Sequence, residues 1–74
     1  MTIKKLLIAN RGEIASRIIS SAHDMGISCV AIYTEADKDT PYVREADQAF
    51  KLSDSYLNSK EILDIALKSN SDAI

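Results

Sequence analysis

Asn10-Arg11-Gly12-Glu13 is the stretch whose residue types and position come closest to a binding turn. It stands where an apolar run gives way to a helical pattern. A helix N-terminus offers unpaired N–H groups and a partial positive charge, which together can hold a phosphate. The dinucleotide fingerprint, however, needs three glycines, and this turn has only Gly12. Asn10 and Ala15 stand where close backbone approach to a pyrophosphate would be required, and Glu13 adds a negative charge beside any anion. A structural turn and a phosphate site both remain open, with the turn favoured. No G-x-x-x-x-G-K-[ST] string occurs, so a phosphate-cradling P-loop is excluded. Glu35 and Asp37 lie roughly where a ribose-binding acid would follow the second strand of a dinucleotide fold. Without the glycines that spacing is weak, and acids are common in loops.

The other chemically able side chains read as structural. His23 falls off the apolar stripe of its helix, near the C-terminal end, where a histidine suits the helix dipole. No second ligand stands at metal-binding spacing in the sequence, so no metal site is assigned. Cys29 opens an apolar run and reads as an inert core thiol. Arg11 and Arg17 read as surface or interface ion-pair residues. No catalytic constellation emerges.

The elements that must position these residues follow from hydrophobic period. Residues 6–9 are wholly apolar, as in a strand covered on both faces. Ile14, Ala15, Ile18, Ile19, Ala22 and Met25 recur at helical steps, predicting a helix over 12–25 capped by Gly26. Residues 29–33 are rich in β-branched side chains and predict a second strand. A polar loop follows, and Pro41 suits the first turn of a short helix over 42–46. Residues 49–52 form a weaker third strand. Asn58 with Glu61 makes a capping-box-like start for a helix over 59–69, whose apolar face includes Leu57, Ile62, Leu63, Ile65, Ala66 and Leu67. Residues 72–74 open a fourth strand, at which the chain stops; the expectation is a truncated domain. Alternation of this kind predicts a Rossmann-like α/β fold, a parallel sheet with flanking helices. Ligands of such sheets gather at the carboxyl ends of the strands.

Composition narrows the function classes. The net charge of −2 is no footprint for nucleic acid or an anionic membrane. No apolar run approaches the roughly 20 residues of a membrane span, and no signal peptide is visible. Cys29 is the single cysteine, so no disulfide framework exists, and the expected compartment is the cytoplasm.

The string Lys5-Leu6-Leu7-Ile8-Ala9-Asn10-Arg11-Gly12-Glu13-Ile14-Ala15, followed by Arg17-Ile18-Ile19, resembles the opening of biotin carboxylases. Later pieces agree, among them Met25-Gly26-Ile27, Val30-Ala31-Ile32-Tyr33, Ala46-Asp47, Ser55-Tyr56-Leu57 and Asp72-Ala73-Ile74. The resemblance covers essentially all 74 residues. It implies that residues 1–74 are a partial N-terminal, pre-ATP-grasp domain, with the ATP-grasp and C-terminal domains absent.

The resemblance also implies a parent ligase that uses ATP, Mg and bicarbonate to carboxylate biotin on a carrier. That is the first half-reaction of acetyl-CoA, propionyl-CoA or pyruvate carboxylases. It implies a biotin carboxyl carrier protein or domain and a carboxyltransferase as partners, and a homo-oligomer at full length. A glycine-rich His-Pro-Gly-Tyr-Gly loop is expected just past Ile74. The metal ligands, phosphate-binding lysines and general base of the family lie in later domains, so the fragment alone is expected to be inactive and to bind no cofactor tightly. Asn10, Arg11, Gly12 and Glu13 are then candidates for shaping the edge of the cleft. Three departures stand out: Ser20 replaces an arginine common in bacterial subunits, on a helix face expected at a dimer contact; Tyr42 replaces a frequent histidine; and the stretch 52–55 is short and lacks Gly-Pro. A free-standing Rossmann-like module for nucleotide binding or dimerisation is the alternative reading.

Overall fold

The computed structural model describes residues 3–53, 55–56 and 58–74. Its elements run β1 (Lys5–Ile8), α1 (Gly12–Asp24), β2 (Ser28–Tyr33), a single 3-10 turn (Glu35–Asp37), α2 (Pro41–Glu45), β3 (Gln48–Lys51) and α3 (Ser59–Lys68). The strands form a parallel sheet in the order β1-β2-β3. Leu6 pairs with Cys29 on one side of β1, and on the other side it bridges in parallel to Ala73. The Leu7 N–H donates to the Ala73 carbonyl at 2.9 Å and the Asp72 N–H to Lys5 at 2.8 Å. Residues 72–73 thus lie where a fourth strand would, beside β1, and the order of strands reverses there. The Asp72 carboxylate accepts from the N–H groups of Lys4 and Lys5 at 2.9 and 3.0 Å and so clamps the start of β1.

Strand period 2 divides the apolar residues between two cores. Ile8, Cys29 and Ala31 face α1 and α2, packing with Ala15, Ile19, Ala22 and Tyr42. Leu7, Val30 and Ile32 face the other way and pack with Leu52, Ile62 and Ile65. A strand covered on both faces reads as a continuous apolar run, which explains the lack of alternation in β1 and β2.

Helix ends follow local chemistry. After α1, Gly26 adopts φ +76°. Its N–H reaches the His23 carbonyl at 3.0 Å while the Ile27 N–H reaches Ala22 at 2.9 Å, a Schellman closure. α3 closes the same way through Asn70 at φ 58°, with Ser71 bonded to Ala66. At its start Asn58 accepts from the Glu61 N–H at 3.1 Å.

Several sequence expectations need correction. The Glu61 carboxylate does not close a capping box on Asn58. It accepts from the Ser53 N–H and hydroxyl, tying the end of β3 to α3. The helical stripe of α1 is narrower than its apolar residues suggest: Ile14 is 60% exposed and Met25 74%. Leu63 and Leu67 of α3 are also exposed, while Leu57 lies outside the described residues. The polar stretch after β2 forms a 3-10 turn and buries Asp37.

Candidate functional site at the carboxyl edge

An open cleft of about 810 Å³ lies where the carboxyl ends of all three strands meet. Arg11 after β1, Thr34 and Glu35 after β2, and Lys51 with Ser53 at the end of β3 contribute to its walls, with Tyr56 beyond them. Parallel strands bring their carboxyl ends to one edge, so residues distant in sequence converge there.

The centre of this edge is an ion pair. Arg11 Nε donates to Asp37 Oδ2 at 2.6 Å and Nη2 to Oδ1 at 2.9 Å, a bidentate fork. The Tyr56 hydroxyl also donates to Asp37 Oδ2, at 2.6 Å, and the Arg11 guanidinium carbon stands 5.1 Å from the Tyr56 ring centroid. The Thr34 N–H donates to the same hydroxyl at 3.2 Å. Tyr42, fully buried, lies 2.7 Å from Tyr56 Oη and 3.1 Å from the Ile32 carbonyl. A carboxylate only accepts, so the Tyr56 proton goes to Asp37, and the single Tyr42 proton is shared between the Tyr56 oxygen and the Ile32 carbonyl. The network therefore runs from the first turn into the core.

Its electrostatics follow. The Arg11 hydrogen bonds, then that from Tyr56, hold the Asp37 carboxyl down at about 2 against the opposing effect of burial. Arg11 is raised above its already high value, chiefly by Asp37. Burial, then the Tyr56 contact, pushes the Tyr42 phenol well above its ordinary value. Glu35, exposed, is held at about 2 by Lys38 first and Lys51 second. It pairs with Lys38 at 2.7 Å and also with Lys51. Glu35 and Asp37 are thus locked as anions, far from the range in which a general base near neutrality works. Arg11 is different. Its side chain is 58% exposed, and its guanidinium has more N–H donors than the fork on Asp37 uses.

Of the turn singled out in the sequence, only Arg11 reaches the cleft. Asn10 lines a separate apolar recess beside Ile18 and Ile74. Gly12 starts α1 at φ +58°, with open space where a Cβ would be, so backbone conformation and not crowding calls for glycine. Glu13 is exposed and accepts from Arg17 Nη2 at 3.2 Å. The α1 N-terminus has no side-chain cap. The ribose-acid reading of Asp37 is corrected: its oxygens are occupied by Arg11 and Tyr56. Glu35 is likewise occupied by lysines. Nothing in the local pattern of Tyr56 marks it as a site residue, and Tyr42 stands out in the sequence only as a departure from a frequent histidine.

At the opposite edge of the sheet the structure supplies what the sequence lacked around His23. Its Nε2 stands 2.8 Å from Asp47 Oδ2, and Asp47 Oδ2 also accepts from the Cys29 N–H at 2.7 Å.

The sequence and fold match known proteins closely. The family model described as the biotin carboxylase N-terminal domain matches residues 2–74. The chain belongs to this family. Biotin carboxylase 1 of Bacillus subtilis is 53% identical over 77 residues, covering 97% of this chain and 17% of the relative. The 2-oxoglutarate carboxylase small subunit of Hydrogenobacter thermophilus is 44% identical, covering 96% of this chain and 16% of the relative. Among solved structures, the biotin carboxylase domain dimer of the Hydrogenobacter thermophilus 2-oxoglutarate carboxylase, in complex with MgADP, ADP and bicarbonate, superposes with a TM-score of 0.94. It is 41% identical, and the match covers all of this chain and 17% of that one. The complete pyruvate carboxylase of Rhizobium etli gives a TM-score of 0.94 at 34% identity, covering 8% of that chain. The chain therefore spans about a sixth of the length of the biotin carboxylases it matches. No helix among the described residues is long and apolar enough to cross a membrane.

Proposed function

We propose that this chain serves as the N-terminal part of an ATP-dependent biotin carboxylase. The parent enzyme uses MgATP and bicarbonate to carboxylate carrier-borne biotin, the first half-reaction of a biotin-dependent acyl-CoA or pyruvate carboxylase in the cytoplasm. The observation that carries this reading is the Arg11–Asp37–Tyr56 network, built on the Asn10-Arg11-Gly12-Glu13 turn, at the carboxyl edge of a sheet that superposes on a biotin carboxylase domain holding MgADP and bicarbonate. Mg²⁺ does not fit the described residues of this edge. The carboxylates that would hold Mg²⁺ here, Glu35 and Asp37, are spent on Lys38, Lys51 and Arg11, and among the described residues no further acid lines the cleft.

Its own contribution is shape. The network fixes the turns after β1 and β2 relative to each other, and the exposed part of the Arg11 guanidinium presents donors to whatever docks on the cleft. A carrier, a carboxyltransferase and a second subunit are the partners of the assembled enzyme in this reading, the second subunit meeting the outer face of α1.

A chimera tests the reading. Residues 2–74 replace the matching segment of Biotin carboxylase 1 of Bacillus subtilis, and bicarbonate-dependent carboxylation of free biotin is measured. Activity within about tenfold of the recipient enzyme is expected. A folded chimera with native-like circular dichroism but no activity would overturn the proposal. The chain alone is expected to turn over no ATP above a mock preparation.

A further inference from the structure

The amino edge of the sheet holds a second cluster, unrelated to the cleft. His23 comes from the last turn of α1, Cys29 from the start of β2, and Asp47 from the junction between α2 and β3. One ligating atom of each (a ring nitrogen, Sγ and a carboxylate oxygen) lies within 4.8 Å of the others. Cys29 is fully buried beneath, while the His23 and Asp47 side chains are 40% and 47% exposed above it. The Cys29 Sγ has only a weak 3.9 Å contact with the Ile27 carbonyl.

We propose that His23, Cys29 and Asp47 form a binding site for a thiophilic divalent cation, with zinc as the metal of best fit. Imidazole, thiolate and carboxylate form a donor set typical of zinc, and three protein ligands leave a fourth position for water. Solvent reaches the site past His23 and Asp47, beside a recess of about 310 Å³ that Asp24 and Glu45 also line. The negative end of the α1 dipole favours a cation there. A dication with one thiolate and one carboxylate makes a neutral site, which suits the buried sulfur. The Asp47 carboxylate is already oriented by the Cys29 N–H, in the way that outer hydrogen bonds orient metal ligands.

Binding is balanced as an exchange. The Cys29 S–H bond breaks, its proton leaves to solvent, and a metal–sulfur bond forms. His23 ligates as neutral imidazole through Nε2: the Nε2 proton that bonded Asp47 leaves to solvent, Nδ1 carries the ring proton, and the bond to Asp47 is given up. Without metal the thiol stays protonated, since burial and the Asp47 charge both raise it. The site would clamp α1, β2 and the approach to β3 together.

Cobalt(II) is the probe. Titration of the purified chain should give stoichiometric binding and a thiolate-to-cobalt charge-transfer band in the near ultraviolet, displaced by zinc. Removing an outer partner of a metal ligand costs about 10–100-fold in affinity, so losing a ligand in His23→Ala should cost more than about 100-fold. Asp47→Asn keeps an acceptor for the Cys29 N–H and should fold while losing affinity. Cys29→Ser should abolish the band. Circular dichroism checks that each variant is folded. No charge-transfer band at saturating cobalt, or an unchanged titration in folded His23→Ala, would overturn the site.

Discussion

The two edges of this sheet carry polar clusters of similar make-up and opposite condition. At the carboxyl edge each group has a committed partner: Arg11 on Asp37, Tyr56 on Asp37, Tyr42 on Tyr56 and Ile32. At the amino edge His23 and Asp47 share one hydrogen bond in a half-exposed position above a thiol that makes only a weak one. The first cluster penetrates the core, so breaking it leaves buried groups unpaired. The second reaches the surface through His23 and Asp47, whose shared hydrogen bond can be exchanged for a ligand. Burial, more than residue type, separates a scaffold from a binding site here.

This comparison can be broken most severely at Asp37. Asp37→Ala would strand the Tyr56 hydroxyl and release Arg11. We expect a loss of about 2 kcal/mol in urea unfolding, the Arg11 share being reduced because that side chain is half solvated. An unchanged midpoint would mean that the network does not hold the edge.

Tyr42→Phe keeps the ring and removes the buried hydroxyl. A loss of about 1 kcal/mol is expected in the same measurement.

Acid sharpens the contrast within the carboxyl edge. The folded Asp37 value of about 2 lies below the unfolded value of about 3.9. Its stabilisation is therefore fully present above about pH 4 and is lost as pH falls toward 2. Unfolding followed over this range should show a shallower pH slope in Asp37→Asn. Glu35 is depressed to about 2 as well, but in an exposed setting, so added salt should remove its share of the slope and leave that of Asp37.

The smallest effect is expected at the other edge. His23→Ala should change stability by less than about 0.5 kcal/mol in metal-free buffer, since the side chain is half exposed. A larger loss without metal would place His23 in the scaffold and erase the difference between the edges.

Much of the fold was legible in the chain. Continuous apolar runs marked β1 and β2, helical period marked α1 and α3, and Gly26, Asn58 and Pro41 marked helix ends, each within a residue or so of the observed bounds. The site was legible only in part. Arg11 was singled out for its place after a strand, and it does line the cleft. Its neighbours Asn10, Gly12 and Glu13 face elsewhere, because a turn into a helix rotates successive side chains apart. Tyr56 and Asp47 gave no signal, since an isolated tyrosine or aspartate in a loop resembles any other.

The sequence by itself determined the βαβ alternation, the caps and the membership of its opening string in a family. These depend on period and capping, which act over a few residues. The tertiary structure alone decided which distant groups meet: Arg11 with Asp37 across 26 positions, and His23 with Asp47 across 24. It also decided that Ile14 and Met25 stay in water while Tyr42 is buried. Those outcomes depend on the register of parallel strands and on which helix covers which face, and no local pattern encodes either.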